Sequence, residues 1–140
     1  MKFWQSISVC FSKYANFDDR ASRSEYWWFY LFCLLLQFGL GILGVIAWGG
    51  SEGFDILSGI AGLIIVIPHI AVAARRLHDT GKSGWRMLWV ITVIGIIPVI
   101  IWCCTEGTKE ANEYGDPIDL TKGTKEANEY GDPIDLIRRR

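Results

Sequence analysis

Charge is missing from three long stretches of this chain. Tyr26 to Trp48 holds no charged residue over 23 positions, Ile56 to Ala74 none over 19, and Met87 to Cys104 none over 18. A chain of 140 residues makes one domain. A soluble domain of that size has no use for three such runs. Also missing is a short apolar run leading to a small-residue cleavage site: residues 1–17 alternate apolar and polar, which argues against a cleavable signal peptide. The cysteines, at 10, 33, 103 and 104, show no CxxC spacing. They read as small, reduced side chains in or beside apolar sequence, and no further soft ligands converge on the vicinal pair Cys103–Cys104.

What is present has a pattern. The net charge of −1 hides local asymmetry. Residues 1–25 carry four Lys/Arg and residues 75–86 another four, whereas residues 49–55 carry none. Each apolar run is long enough for a helix to cross the ~30 Å hydrocarbon layer, and lipid selects helices because every backbone group must bond internally. Six of the seven tryptophans stand at run ends, where an indole ring sits well at headgroup level. The expectation is an all-α membrane protein with three transmembrane helices over 26–48, 56–74 and 87–104. Ser22-Arg23-Ser24-Glu25 reads as a capping box for the first, Asp55 as a cap for the second and Ser83 for the third. Phe3, Ile7, Cys10, Phe11 and Tyr14 recur at helical spacing, so residues 1–25 are expected to form an N-terminal amphipathic interfacial helix and cap.

The positive-inside rule places the N-terminus and the 75–86 loop in the cytoplasm, and the 49–55 loop and the C-tail outside. The tail, residues 105–140, holds one fourteen-residue segment twice, GTKEANEYGDPIDL at 107–120 and at 123–136. It is polar and acidic, and it is not expected to pack a core by itself. The final Ile137-Arg138-Arg139-Arg140 reads as tail, not as a recognition patch, and no nucleic-acid partner is expected.

The least generic stretch is Arg75-Arg76-Leu77-His78-Asp79-Thr80-Gly81-Lys82-Ser83-Gly84-Trp85. Its Gly-Lys-Ser is not a phosphate loop, because Arg76 stands where that motif needs glycine and a membrane helix precedes it. It reads as a tight turn in which Gly81 and Gly84 allow backbone shapes that other residues resist. Arg75, Arg76, Lys82 and Arg86 then face anionic headgroups. Arg75, His78 and Asp79 share one face of a helix end, and Arg20, Arg23 and Glu25 lie at the same membrane depth. This candidate interfacial charge cluster pairs Glu25 with Arg75 or Arg76, and Asp79 with Arg20 or Arg23. The alternative is that each charge faces water and phosphate. His69 lies inside the second run: it is either a functional intramembrane group or a neutral histidine bonded to a carbonyl freed by Pro68.

Three segments carry a resemblance: Arg20-Ala-Ser-Arg23-Ser-Glu25-Tyr-Trp27, then Arg75-Arg76-Leu-His78-Asp79-Thr-Gly81-Lys-Ser-Gly84-Trp85, then Asn112-Glu-Tyr114-Gly115-Asp-Pro117. Together they resemble the YhaH-like bacterial inner-membrane family, known as domain of unknown function eight hundred and five, over residues 1 to about 120. Asp19 departs from the glycine expected before Arg20. The resemblance implies an all-helical fold in the bacterial inner membrane, and no reaction. The expected function is that of a non-enzymatic module binding membrane lipids, anionic headgroups among them, or a protein partner or second copy. The alternative is an oligomeric transporter or channel subunit. No catalytic residue, cofactor or metal is expected.

Overall fold

Helix start and stop signals set the frame. A computed structural model describes residues 2–49 and 51–118; the second tail copy, 123–136, and the terminal arginines lie outside the described residues. Among the described residues the chain is all-helical, in the order α1 (Phe3–Ser12), α2 (Arg23–Trp48), α3 (Ser51–Asp79), a 3-10 helix (Gly84–Ile91) and α4 (Ile96–Cys104). α2 and α3 pack side by side as a hairpin, and α1 lies against both. These two long helices are the ones with the length and apolar composition to cross a membrane. Their outward faces are mostly hydrocarbon: Phe38 and Ile46 on α2 and Leu63 on α3 are about three-quarters exposed. A surface of that kind belongs in lipid.

Ser22 starts α2 in part as expected. Its hydroxyl accepts from the Glu25 N–H at 3.2 Å, but the Glu25 carboxylate does not reach back to close the box; it goes to Arg75 instead. Gly49 ends α2 in the left-handed region, at φ 64°. α3 begins at Ser51, so residues 51–55, expected in a loop, are helical, and Asp55 lies inside the helix instead of capping it. Ser83 precedes the 3-10 helix but makes no side-chain cap bond.

The run 87–104 is not one helix. It turns back on itself at residues 92–95. The Gly95 N–H donates to the Thr92 carbonyl at 2.9 Å and to its hydroxyl at 3.2 Å, while that hydroxyl donates to the Trp89 carbonyl at 2.8 Å. A Cβ on Gly95 would overlap the Trp89 carbonyl, so the turn needs glycine. Pro98 sits in the first turn of α4, the place where its missing N–H and ring are tolerated. The branched run Val90 to Ile94 further weakens a continuous helix. The two arms face each other through Trp89 and Trp102, ring centroids 5.7 Å apart.

α1 buries part of the face its apolar spacing suggests, Ile7 and Cys10, but the buried side is rotated toward its polar residues. Gln5, Ser6, Ile7, Val9 and Cys10 are buried, whereas Phe11 is exposed. Ser6 is accommodated because its hydroxyl donates to the Lys2 carbonyl at 3.2 Å. Cys10 joins Ala21, Phe29, Ile65 and Val72 in the apolar core. Just beyond α1, the Tyr14 hydroxyl donates to the Ile64 carbonyl at 2.5 Å. Ile64 stands four residues before Pro68, whose lack of N–H frees that carbonyl. The freed acceptor is therefore met by Tyr14, not by His69.

The described part of the tail is docked. The Thr108 N–H donates to the Asp79 carbonyl at 2.8 Å, and Asn112 Nδ2 donates to the His78 carbonyl at 2.9 Å. These bonds cover carbonyls that the end of α3 leaves without helical partners. Residues 105–118 thus sit at the same end of the α2–α3 hairpin as the N-terminal segment. The tail, expected on the other side from the N-terminal segment, instead contacts Arg20 of that segment directly.

Candidate functional site

The site is a knot of charge at that shared end, built from the start of α2, the last turn of α3, the 13–22 segment and the tail. Arg75, Arg76, Arg20, Glu25, His78 and Asp79 are all buried, the first two with no exposure at all. Arg75 Nη1 lies 2.7 Å from a Glu25 carboxylate oxygen. Arg20 reaches across to Asp79, 2.9 Å away, and Arg76 binds the other oxygen of the same carboxylate. The structure thus brings together Arg20, Glu25, Arg75, Arg76, His78 and Asp79. Arg23 stands apart on the surface, pairing with Glu106 at 3.2 Å.

Three buried guanidinium groups face two carboxylates, and backbone carbonyls make up the difference. Arg76 donates to the carbonyls of Ala21 at 3.2 Å and Cys103 at 3.1 Å, and also to that of Thr105. Arg20 donates to the carbonyls of Glu110 at 3.1 Å and Gly115 at 3.3 Å, and to the Thr108 hydroxyl at 3.0 Å. One arginine therefore ties the hairpin arm 96–104 to the 20–22 segment, and the other ties the tail to α3. Gly107 makes room for this: a Cβ there would overlap the Asp79 carboxylate. Arg75 is less complete, since its Nε and Nη2 have no partner among the described residues. Cys10 lies beside the pair, its sulfur 3.9 Å from Glu25. Burial, and then the Glu25 carboxylate, push the Cys10 thiol well above its ordinary range, so it stays protonated.

His78 stacks flat on Tyr114, ring centroids 3.8 Å apart and 4° from parallel. Asp79 is taken up by two arginines, and among the described residues no three His, Cys, Asp or Glu side chains gather as a metal site. Gly84 lets the 3-10 helix close onto α3: a Cβ there would come within 3.0 Å of the Ala74 Cβ and 3.2 Å of His78 Nε2. Gly81 takes the left-handed turn at φ 68°. Lys82 and Arg86 are the basic groups of the loop that remain outside the knot. Both lie over the Trp102 ring, at 5.5 and 5.4 Å from its centroid. His69 sits deeper, partly buried, against Tyr30 at 6.0 Å and Tyr26 at 6.5 Å.

Sequence reasoning placed Arg75 and Arg76 toward the headgroups and also offered either one as the partner of Glu25; the structure turns both inward and gives Glu25 to Arg75. It also missed Thr108, Asn112 and Tyr114 as partners. A polar, acidic segment gives no periodic signal, and its docking groups bind backbone carbonyls, which leave no trace in side-chain identity. The one clue was that Asn112, Tyr114 and Gly115 lie within the family-like segments.

The profile of a family described as "Protein of unknown function (DUF805)" matches residues 14–116. The chain is 40% identical over 107 residues to "Inner membrane protein YhaH" of Escherichia coli strain K12, covering 74% of this chain and 88% of that protein. It is 38% identical over 104 residues to "Inner membrane protein YhaI" of the same organism, covering 74% of this chain and 86% of that protein. No solved structure matches the chain.

Proposed function

The chain belongs to the DUF805 family of bacterial integral inner-membrane proteins, and from that premise we propose that it is a non-enzymatic module that binds lipid or a protein partner at the cytoplasmic face. The supporting observation is how the charge knot is engaged. Both of its carboxylates are already paired, and its guanidinium groups also hold backbone carbonyls of the hairpin and tail. A cluster so committed acts as a latch that holds five segments together, and it offers little for proton transfer or nucleophilic attack. Anionic headgroups are met instead by Lys82 and Arg86, set beside Trp85 and Trp102 at the same level.

The topology that goes with this reading has two spans, α2 and α3, with the N-terminal segment and residues 105–118 in the cytoplasm. Eight Lys/Arg in residues 1–25 and 75–86, against none in 49–55, support that orientation. The 3-10 helix and α4 then form a re-entrant hairpin. Arms of 8 and 9 residues reach roughly 13–16 Å, about half the hydrocarbon thickness. α1 packs along the inner interface.

Topology reporters fused after Leu120 test this. A cytoplasmic reporter such as green fluorescent protein should be bright and a periplasmic phosphatase inactive. A cysteine at Ser51, in a variant lacking the native cysteines, should label from outside intact cells. One at Val93 should resist impermeant reagents from either side. An active phosphatase fusion, or free labelling at Val93 from outside, would restore three spans and remove this reading.

A further inference from the structure

One side of the α2–α3 hairpin carries polar groups that no described residue satisfies. Gln37 lies about midway along α2, exposed, and its amide has no hydrogen-bond partner among the described residues. Neither ring nitrogen of His69 has one. Tyr30, Leu34, Gln37 and Gly41 follow one another at spacings of four, three and four, so they share a face of α2. His69 stands against Tyr30 on α3, and Gln37 Nε2 comes within 3.8 Å of where Gly62 would carry a Cβ, seven residues before His69. The unsatisfied groups therefore share one side. Along it runs an apolar groove lined by Leu34, Phe38, Gly41, Ile42 and Val45.

In hydrocarbon an unpaired amide is costly, because no water is there to bond it. A partner surface that supplies both a donor and an acceptor removes that cost. We propose that this face is the contact between two copies of the chain, related by a two-fold axis along the membrane normal, with Gln37 of each copy bonding Gln37 of the other. Copies inserted in the same orientation carry Gln37 at the same depth, and an amide complements itself: each gives an N–H and takes one at its oxygen. Lipid tails offer neither group. Gly41, one turn on, lets the two α2 backbones approach closely. The inference rests on α2 crossing the bilayer.

Energy transfer between donor- and acceptor-fused full-length chains tests it, in phosphatidylethanolamine–phosphatidylglycerol liposomes over a range of protein-to-lipid ratios. The wild type should pair at high lipid dilution, Gln37→Leu should weaken pairing about tenfold, and Gln37→Asn should keep a measurable part. A photo-cross-linking residue at Leu34 should trap a dimer, and one at Leu43, on the opposite face of α2, should not. Resistance to alkaline extraction, read on the same samples, reports insertion separately from pairing. A monomeric wild type, a Gln37→Leu variant that pairs as well as wild type, or equal trapping from Leu43 would overturn the proposal.

Discussion

Glu25 shows how one side chain serves two competing roles. Its N–H takes the Ser22 cap while its carboxylate leaves the cap for Arg75, and both partners of that ion pair are almost fully enclosed. Removing one member of a buried pair costs more than the pair itself contributes, because the remaining charge stays buried without compensation. Glu25→Ala should therefore destabilise the protein by about 3–5 kcal/mol, read as chemical or thermal unfolding in detergent. Replacing both residues, Glu25→Leu with Arg75→Met, should recover most of that loss. If the double variant is no better than the sum of the singles, Glu25 and Arg75 do not depend on one another. This pairing was partly legible beforehand: both segments carry charge beside an apolar run, and topology puts them at one depth. Which arginine meets which acid was not legible, because that depends on how α2 and α3 rotate about their axes.

At the scale of elements, α3 runs its full length with a proline inside it, and the cost is met from outside the helix. The Tyr14 hydroxyl fills the Ile64 acceptor that Pro68 leaves open. Tyr14→Phe should then cost about 1–2 kcal/mol. In a Pro68→Ala background, where an N–H returns to the ladder, the same substitution should cost close to nothing. An equal cost in both backgrounds would mean that Tyr14 acts through its ring alone. The two long helices were readable from composition, since a run of twenty apolar residues leaves lipid little alternative to helix. The third run had the same composition and nearly the same length, yet it folds as a half-length hairpin. Its Thr92–Gly95 turn and Pro98 are short-range features that a count of apolar residues passes over.

At the scale of the whole molecule, tail residues 105–118 are part of the fold. It covers the last carbonyls of α3, stacks Tyr114 on His78 and wraps Arg20. Truncation after Cys104 should lower stability by on the order of 3–5 kcal/mol, several bonds at about 1 kcal/mol each. Truncation after Leu120 should leave it unchanged. Deleting residues 107–122 instead should also be tolerated, because it brings Gly123 and its identical segment to the place of Gly107. If that deletion behaves like the Cys104 truncation, residues beyond the repeated segment take part in docking.

The sequence by itself determined the medium, the two long helices and the end of the molecule where positive charge gathers. Those follow from how many apolar residues stand in a row and where Lys and Arg interrupt them, which are properties of the chain read in order. Only the tertiary structure decided that both Arg75 and Arg76 are enclosed, that the third run doubles back, and that a polar tail docks on the end of α3. Each of these depends on backbone carbonyls meeting side chains from distant segments. Every residue carries a carbonyl, so the sequence cannot mark which ones will be left open until the helices that expose them are packed together.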